Sequence, residues 1–172
     1  MLSIHADHEE NWVHPKLRAC APDLVPELEH DHKEQDALFE AVEEIFDALK
    51  AGASEHPWAL QHSLYGKFSE FCGHYLVHMA REEETAMQLL QDNYSDEELM
   101  GLTDEIRGST PPEDMAGFLS IMIPAMNVEE RAAMFGGMKA TAPPDVFDNI
   151  CGLASTVLKG DEWAAVRGRA GI

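Results

Sequence analysis

The chain has 172 residues, enough for one domain that buries a core of its own. Hydrophobic residues make up 45% and charged residues 26%, the balance of a soluble globular protein. Acidic residues number 32 against 12 basic ones, a net charge of −20 that repels phosphate backbones and anionic lipid and argues against nucleic-acid and membrane-surface roles.

Everything periodic in the chain is helical, which predicts an all-α fold. A first helix over about Leu2 to Val13 places His5, His8, Glu9 and Trp12 on one face. His14-Pro15 is expected to end it, because the residue before a proline is pushed out of helical geometry. A second helix runs from Leu24 to Leu49 and is closed by Gly52. Its inward stripe is Leu28, His32, Gln35, Phe39, Val42, Phe46 and Leu49. The third and longest spans about Trp58 to Asp92, with Leu64, Phe68, Phe71, Tyr75, His78, Glu82, Ala86 and Leu89 inward. Past Asn93 the helices shorten, at about 96–107, 112–126, 128–140 and 144–158, with a last one after Lys159-Gly160. Ser95 to Glu98 has capping-box form, Asn127 to Glu130 is a looser relative, and Pro111-Pro112 and Pro143-Pro144 suit first turns. This half is rich in Met and carries no His. Residues 1–94 are therefore expected to carry the chemistry, and 95–172 to pack against them as a helical extension.

The chemistry is concentrated in two copies of His-x-x-x-Glu, His5 to Glu9 and His78 to Glu82, on separate helices. Residues four apart project from one helical face, so an imidazole and a carboxylate held that way can bind one ion. Glu82 also lies inside an apolar stripe, where a carboxylate is costly unless paired or metal-bound. His32 supplies a nitrogen from a third helix. The expected metal ligands are thus His5, Glu9, His32, His78 and Glu82, a set that suits Fe, Mn or Zn. Two carboxylates able to bridge, with histidines from several helices of a bundle, point to a binuclear iron-type centre.

Other candidates carry less. His8 could replace or join His5, and Asp36, one turn after His32, could add an oxygen. His74 is expected at the rim, His30, His56 and His62 at the surface or in caps, and His14 at a helix end, with a place behind the ligands as its alternative. There is no G-x-G-x-x-G, P-loop or nucleophile elbow. Cys20, Cys72 and Cys151 are scattered, which suits a reducing cytoplasm. No apolar run reaches the roughly 18 residues of a membrane span, and the N-terminus lacks a signal-peptide layout. A cytoplasmic protein is expected.

The segment from His5 through Pro15 resembles the end of the second helix of the hemerythrin-like (HHE cation-binding) family. Asp31-His32 resembles the histidine opening that family's third helix, and His78-Met79-Ala80-Arg81-Glu82-Glu83 the motif of its fourth. Met122 to Met126 and Glu129 to Ala132 resemble the C-terminal extension of bacterial members. The resemblance implies a helical bundle holding a non-haem di-iron centre that binds O₂ or NO, or that senses or handles iron, rather than an enzyme. It also implies a first helix with its own ligand histidine ahead of residue 5, where only four residues stand. That gap implies chain upstream, a second chain completing the bundle as a homo-oligomer, or a site for a single ion. The rival readings are an oxygen- or peroxide-activating di-iron enzyme and a metal-free helical interaction protein.

Overall fold

The structure, a computed structural model, describes residues 2–52 and 56–172, and all regular elements among them are helices. Helix α1 (2–20) is α-helical over Leu2–His8 and His14–Cys20 with a π-helical turn, Glu9–Val13, between them. Helix α2 is Val25–Lys50. Helix α3 (57–93) likewise consists of Pro57–Arg81, a π turn Glu82–Ala86, and Met87–Asn93. The shorter helices are α4 (Asp96–Ser109), α5 (Pro112–Ala125), α6 (Val128–Thr141), α7 (Pro144–Val157) and α8 (Gly160–Ala170). The chain divides into two compact units, 2–107 and 108–172. Met1, where the resemblance places the interior of a helix, lies outside the described residues.

His14-Pro15 does not end the first helix, contrary to expectation. Proline removes an N–H and its ring clashes with the carbonyl four residues back. The π turn admits one extra residue just ahead of it, and the His14 N–H bonds to the Glu9 carbonyl five residues back. The helix therefore continues through Pro15 to Cys20. Gly52 does close α2: at φ +63° it occupies the left-handed region, and its N–H donates to Leu49 O at 3.1 Å.

Within residues 2–107, α2 and α3 pair as an antiparallel hairpin. His32 meets His78 and Phe39 meets Phe71, so the facing positions sum to a constant. Helix α1 packs on the end of this hairpin that holds residues 25–35. Leu17, Val25, Leu28, Ala86 and Leu90 form an apolar cluster there, and Tyr94 Oη donates to Lys16 O at 2.9 Å. At about 25 cal/mol per Å², burial of a leucine stabilises by roughly 2 kcal/mol, so this cluster fixes where α1 lies. Phe46 and Phe68, expected inward, are 49% and 50% exposed. The register explains it: Leu17 lies near Leu28, and Glu10 meets His32, so α1 reaches its Leu2 end before the level of Phe46.

Within residues 108–172, α5 to α8 enclose Leu119, Ile123, Phe135, Ala154, Leu158 and Val166. Phe135 is fully buried and stands edge-on to Trp163 at 5.0 Å. Arg131 caps α5 from the next helix, its Nε and Nη2 donating to the carbonyls of Ile123 and Pro124 at 2.7 and 2.8 Å. The Asn127–Glu130 capping box is formed in both directions, as is that of Ser95 and Glu98. No helix among the described residues is long and apolar enough to cross a membrane.

Candidate metal centre

Glu9 on α1, His32 on α2, and His78 and Glu82 on α3 bring one donor atom each to within 4.8 Å of one another. Both histidines are buried, 4% and 2% exposed, and their Nε2 atoms face each other at 3.1 Å. Glu82 Oε1 lies 3.3 Å from His78 Nε2, and Glu9 Oε2 lies 3.2 Å from His32 Nε2. His5 is outside this group of four and touches it through Glu9, its Nε2 being 3.0 Å from Glu9 Oε1. Among the described residues, four of the five sequence-predicted ligands thus converge and the fifth stands against one of them.

The remaining candidates lie elsewhere. Asp36 is exposed and His8 half-buried, and neither joins the group. His74 is half-exposed, 3.8 Å from Glu34 at the rim, and His30 faces solvent beside Glu34. His56 and His62 are exposed.

His32 and His78 are each aimed by a carboxylate on the far nitrogen. His32 Nδ1 pairs with Glu10 Oε1 at 3.0 Å, and His78 Nδ1 with Asp31 Oδ2 at 3.3 Å. Asp31 is itself held by Arg81, whose Nη1 donates to Oδ2 at 2.7 Å. The supports run crosswise: Glu10 adjoins Glu9 in sequence but serves His32, and Asp31 adjoins His32 but serves His78. A carboxylate on Nδ1 fixes the ring and presents the Nε2 lone pair to the centre, the usual arrangement behind histidine ligands. Spacing within one helix could not disclose these supports. Their only sequence signal is an acid next to a ligand.

Both carboxylates of the group open π turns, Glu9 at Glu9–Val13 and Glu82 at Glu82–Ala86. Such turns are rare and frequent at functional sites. The turn after Glu9 also carries His14 to the side of His32. His14 is fully buried, its ring nearly parallel to that of His32 at 5.7 Å. α-Helical spacing would set it well around from Glu9, so the sequence favoured a helix end there over a place behind the ligands.

The electrostatics follow from burial and proximity. Burial pushes the Glu9 carboxyl up, but the His32 and His5 nitrogens beside it outweigh that and hold it at about 2. Burial lowers His32, and Glu9 and Glu10 overcome it, raising it to about 9. His78 is raised as Glu82 and Asp31 outweigh its burial. Glu9 raises His5 against a smaller effect of burial, whereas burial lowers His14. Burial, with Glu9 and Glu82 nearby, raises Tyr75.

The donor set fits a metal ion. Glu9 Oε2 and His5 Nε2 are buried without a hydrogen bond in good geometry among the described residues, although each has an ionic neighbour at about 3 Å. Two imidazole nitrogens at 3.1 Å cannot both carry a proton between them. A cation accepts both lone pairs together with the carboxylates, and these donors suit Fe, Mn or Zn. No family model, curated protein or solved structure matches the chain.

Proposed function

We propose that the chain is a hemerythrin-like non-haem iron protein, holding iron at Glu9, His32, His78 and Glu82 with His5 joining through Glu9. Glu9 and Glu82 are the candidate bridges of a binuclear centre. The observation that carries this reading is the meeting of two buried Nε2 atoms, each ring braced by a carboxylate on Nδ1. Four protein donors are fewer than the six an octahedral ion takes, so the centre would retain positions for a small ligand. Bound iron would supply redox-active coordination of O₂ or NO. The chain's own residues supply the frame: Glu10 and Asp31 aim the imidazoles, and Arg81 fixes Asp31. The Leu17, Leu28 and Leu90 cluster seats α1 against the hairpin. Self-association belongs to the same proposal, supported by exposed Trp58, Tyr65, Phe46 and Phe68 on the α2–α3 hairpin.

The test is metal content after anaerobic Fe(II) loading, with particle mass measured on the same sample. Stoichiometric iron in the native chain, lost in His78→Ala and Glu82→Ala, is the expected result, followed by spectral change on adding O₂ or NO. Peroxide turnover well above that of free iron would instead favour a di-iron enzyme.

A second reading has an observation of its own. Each imidazole of the centre already faces a carboxylate at 3.0–3.3 Å, as a metal-free buried polar cluster would. In that case replacing His78 and Glu82 together by leucines should leave stability unchanged or raise it.

A further inference from the structure

His14 is not explained by the ligand set. Its side chain is wholly enclosed, yet neither Nδ1 nor Nε2 has a hydrogen-bond partner among the described residues. Glu29 Oε1 stands 3.8 Å from Nδ1, beyond hydrogen-bond reach, and is engaged by Arg18. A neutral imidazole carries one N–H and one lone pair, and burying both unmet is unfavourable. The ring stacks beside His32 with an 11° angle between planes, but it lies outside the group whose donor atoms converge within 4.8 Å. Beside the donor set and outside it, the ring keeps both nitrogens unmet for a partner that the chain's described residues do not supply.

We propose that His14 hydrogen-bonds a small exogenous ligand taken up at the metal centre, an anion or polar diatomic with a lone pair to accept its N–H. This rests on the metal reading above. The placement has a structural cause. Five residues along an α-helix would turn His14 about 140° from Glu9. The π turn, closed by the His14 N–H on Glu9 O, returns it toward the Glu9 side. Contact with His32 then holds the ring, so its donor is fixed before a ligand arrives. Proline at position 15 adds to this: it supplies no N–H to draw the π turn back into α register.

Sodium azide is the probe, titrated into the iron-loaded full chain and followed by its charge-transfer absorption and its infrared stretch. His14→Phe keeps a ring of similar bulk against His32 and removes the donor; His14→Gln restores one. Iron content should be the same in all three proteins. Azide should bind about tenfold more weakly to His14→Phe, with a shifted stretch, and His14→Gln should recover most of both. Unchanged affinity and stretch in iron-loaded His14→Phe would overturn the proposal and leave the metal reading intact. Loss of iron from both folded variants would also overturn it, by making His14 a ligand. A native chain that takes up no iron would overturn both readings.

Discussion

The two units of this chain solve burial in opposite ways. In residues 108–172 the interior is apolar, with Phe135, Ile123 and Val166 fully buried and Arg131 the buried charge, its guanidinium bonded to backbone carbonyls. In residues 2–107 the apolar cluster of Leu17, Leu28 and Leu90 adjoins a layer of His14, His32, His78 and Gln35. A protein interior rejects such groups unless each has a partner. The polar layer is nearly, but not fully, satisfied by its own carboxylates: among the described residues, buried atoms of His5, Glu9, His14 and Gln35 lack a hydrogen bond. The difference marks where burial is met by apolar packing and where it is met, incompletely, by paired polar groups.

That contrast can be broken from either side. The largest effect on stability is expected in the apolar unit, where Phe135→Ala should cost about 3–5 kcal/mol by removing a fully packed ring. Denaturant unfolding would measure it, and iron stoichiometry in the folded fraction should not change. In the polar layer the reverse is expected. Asp31→Asn and Glu10→Gln should weaken metal binding by about 10–100-fold by loosening the histidine they orient, with little loss of fold. Competition with a calibrated chelator would show it, and equal affinity in both variants would refute the bracing role.

The most graded effect is that of pH. Between the ordinary 6.5 of histidine and about 9 in the folded chain, His32 keeps its proton only when folded. Its contribution to the metal-free protein is complete below 6.5 and is lost as pH rises through 9. A metal competes with that same proton, so affinity should rise over the same interval. The increase in Tm on metal loading should therefore grow from pH 6.5 to 9. A constant increase would show that His32 does not exchange its proton for metal.

Much of the local structure was legible. Gly52, Ser95, Asn127 and the proline pairs mark termini through geometry that acts within a few residues, and the helices begin and end near them. The i, i+4 pairs His5/Glu9 and His78/Glu82 were visible for the same reason. Phe46 and Phe68 were misplaced because an apolar stripe records what a helix could bury, not whether another helix reaches it. The helix end expected at His14 is absent, and its place beside His32, open only as the alternative, was hard to read because a π turn leaves no periodic trace and Pro15 reads as a stop.

The sequence by itself determined an all-helical chain and the faces on which its His/Glu pairs stand, since backbone hydrogen bonding and side-chain spacing are local. The tertiary structure alone decided which carboxylate braces which imidazole. Glu10 finds His32 across 22 positions and Asp31 finds His78 across 47; the packing of α1 on the hairpin sets the first meeting, and the register of α2 against α3 sets the second. It also decided that His14 turns inward beside His32, because one extra residue in a helical turn rotates everything after it.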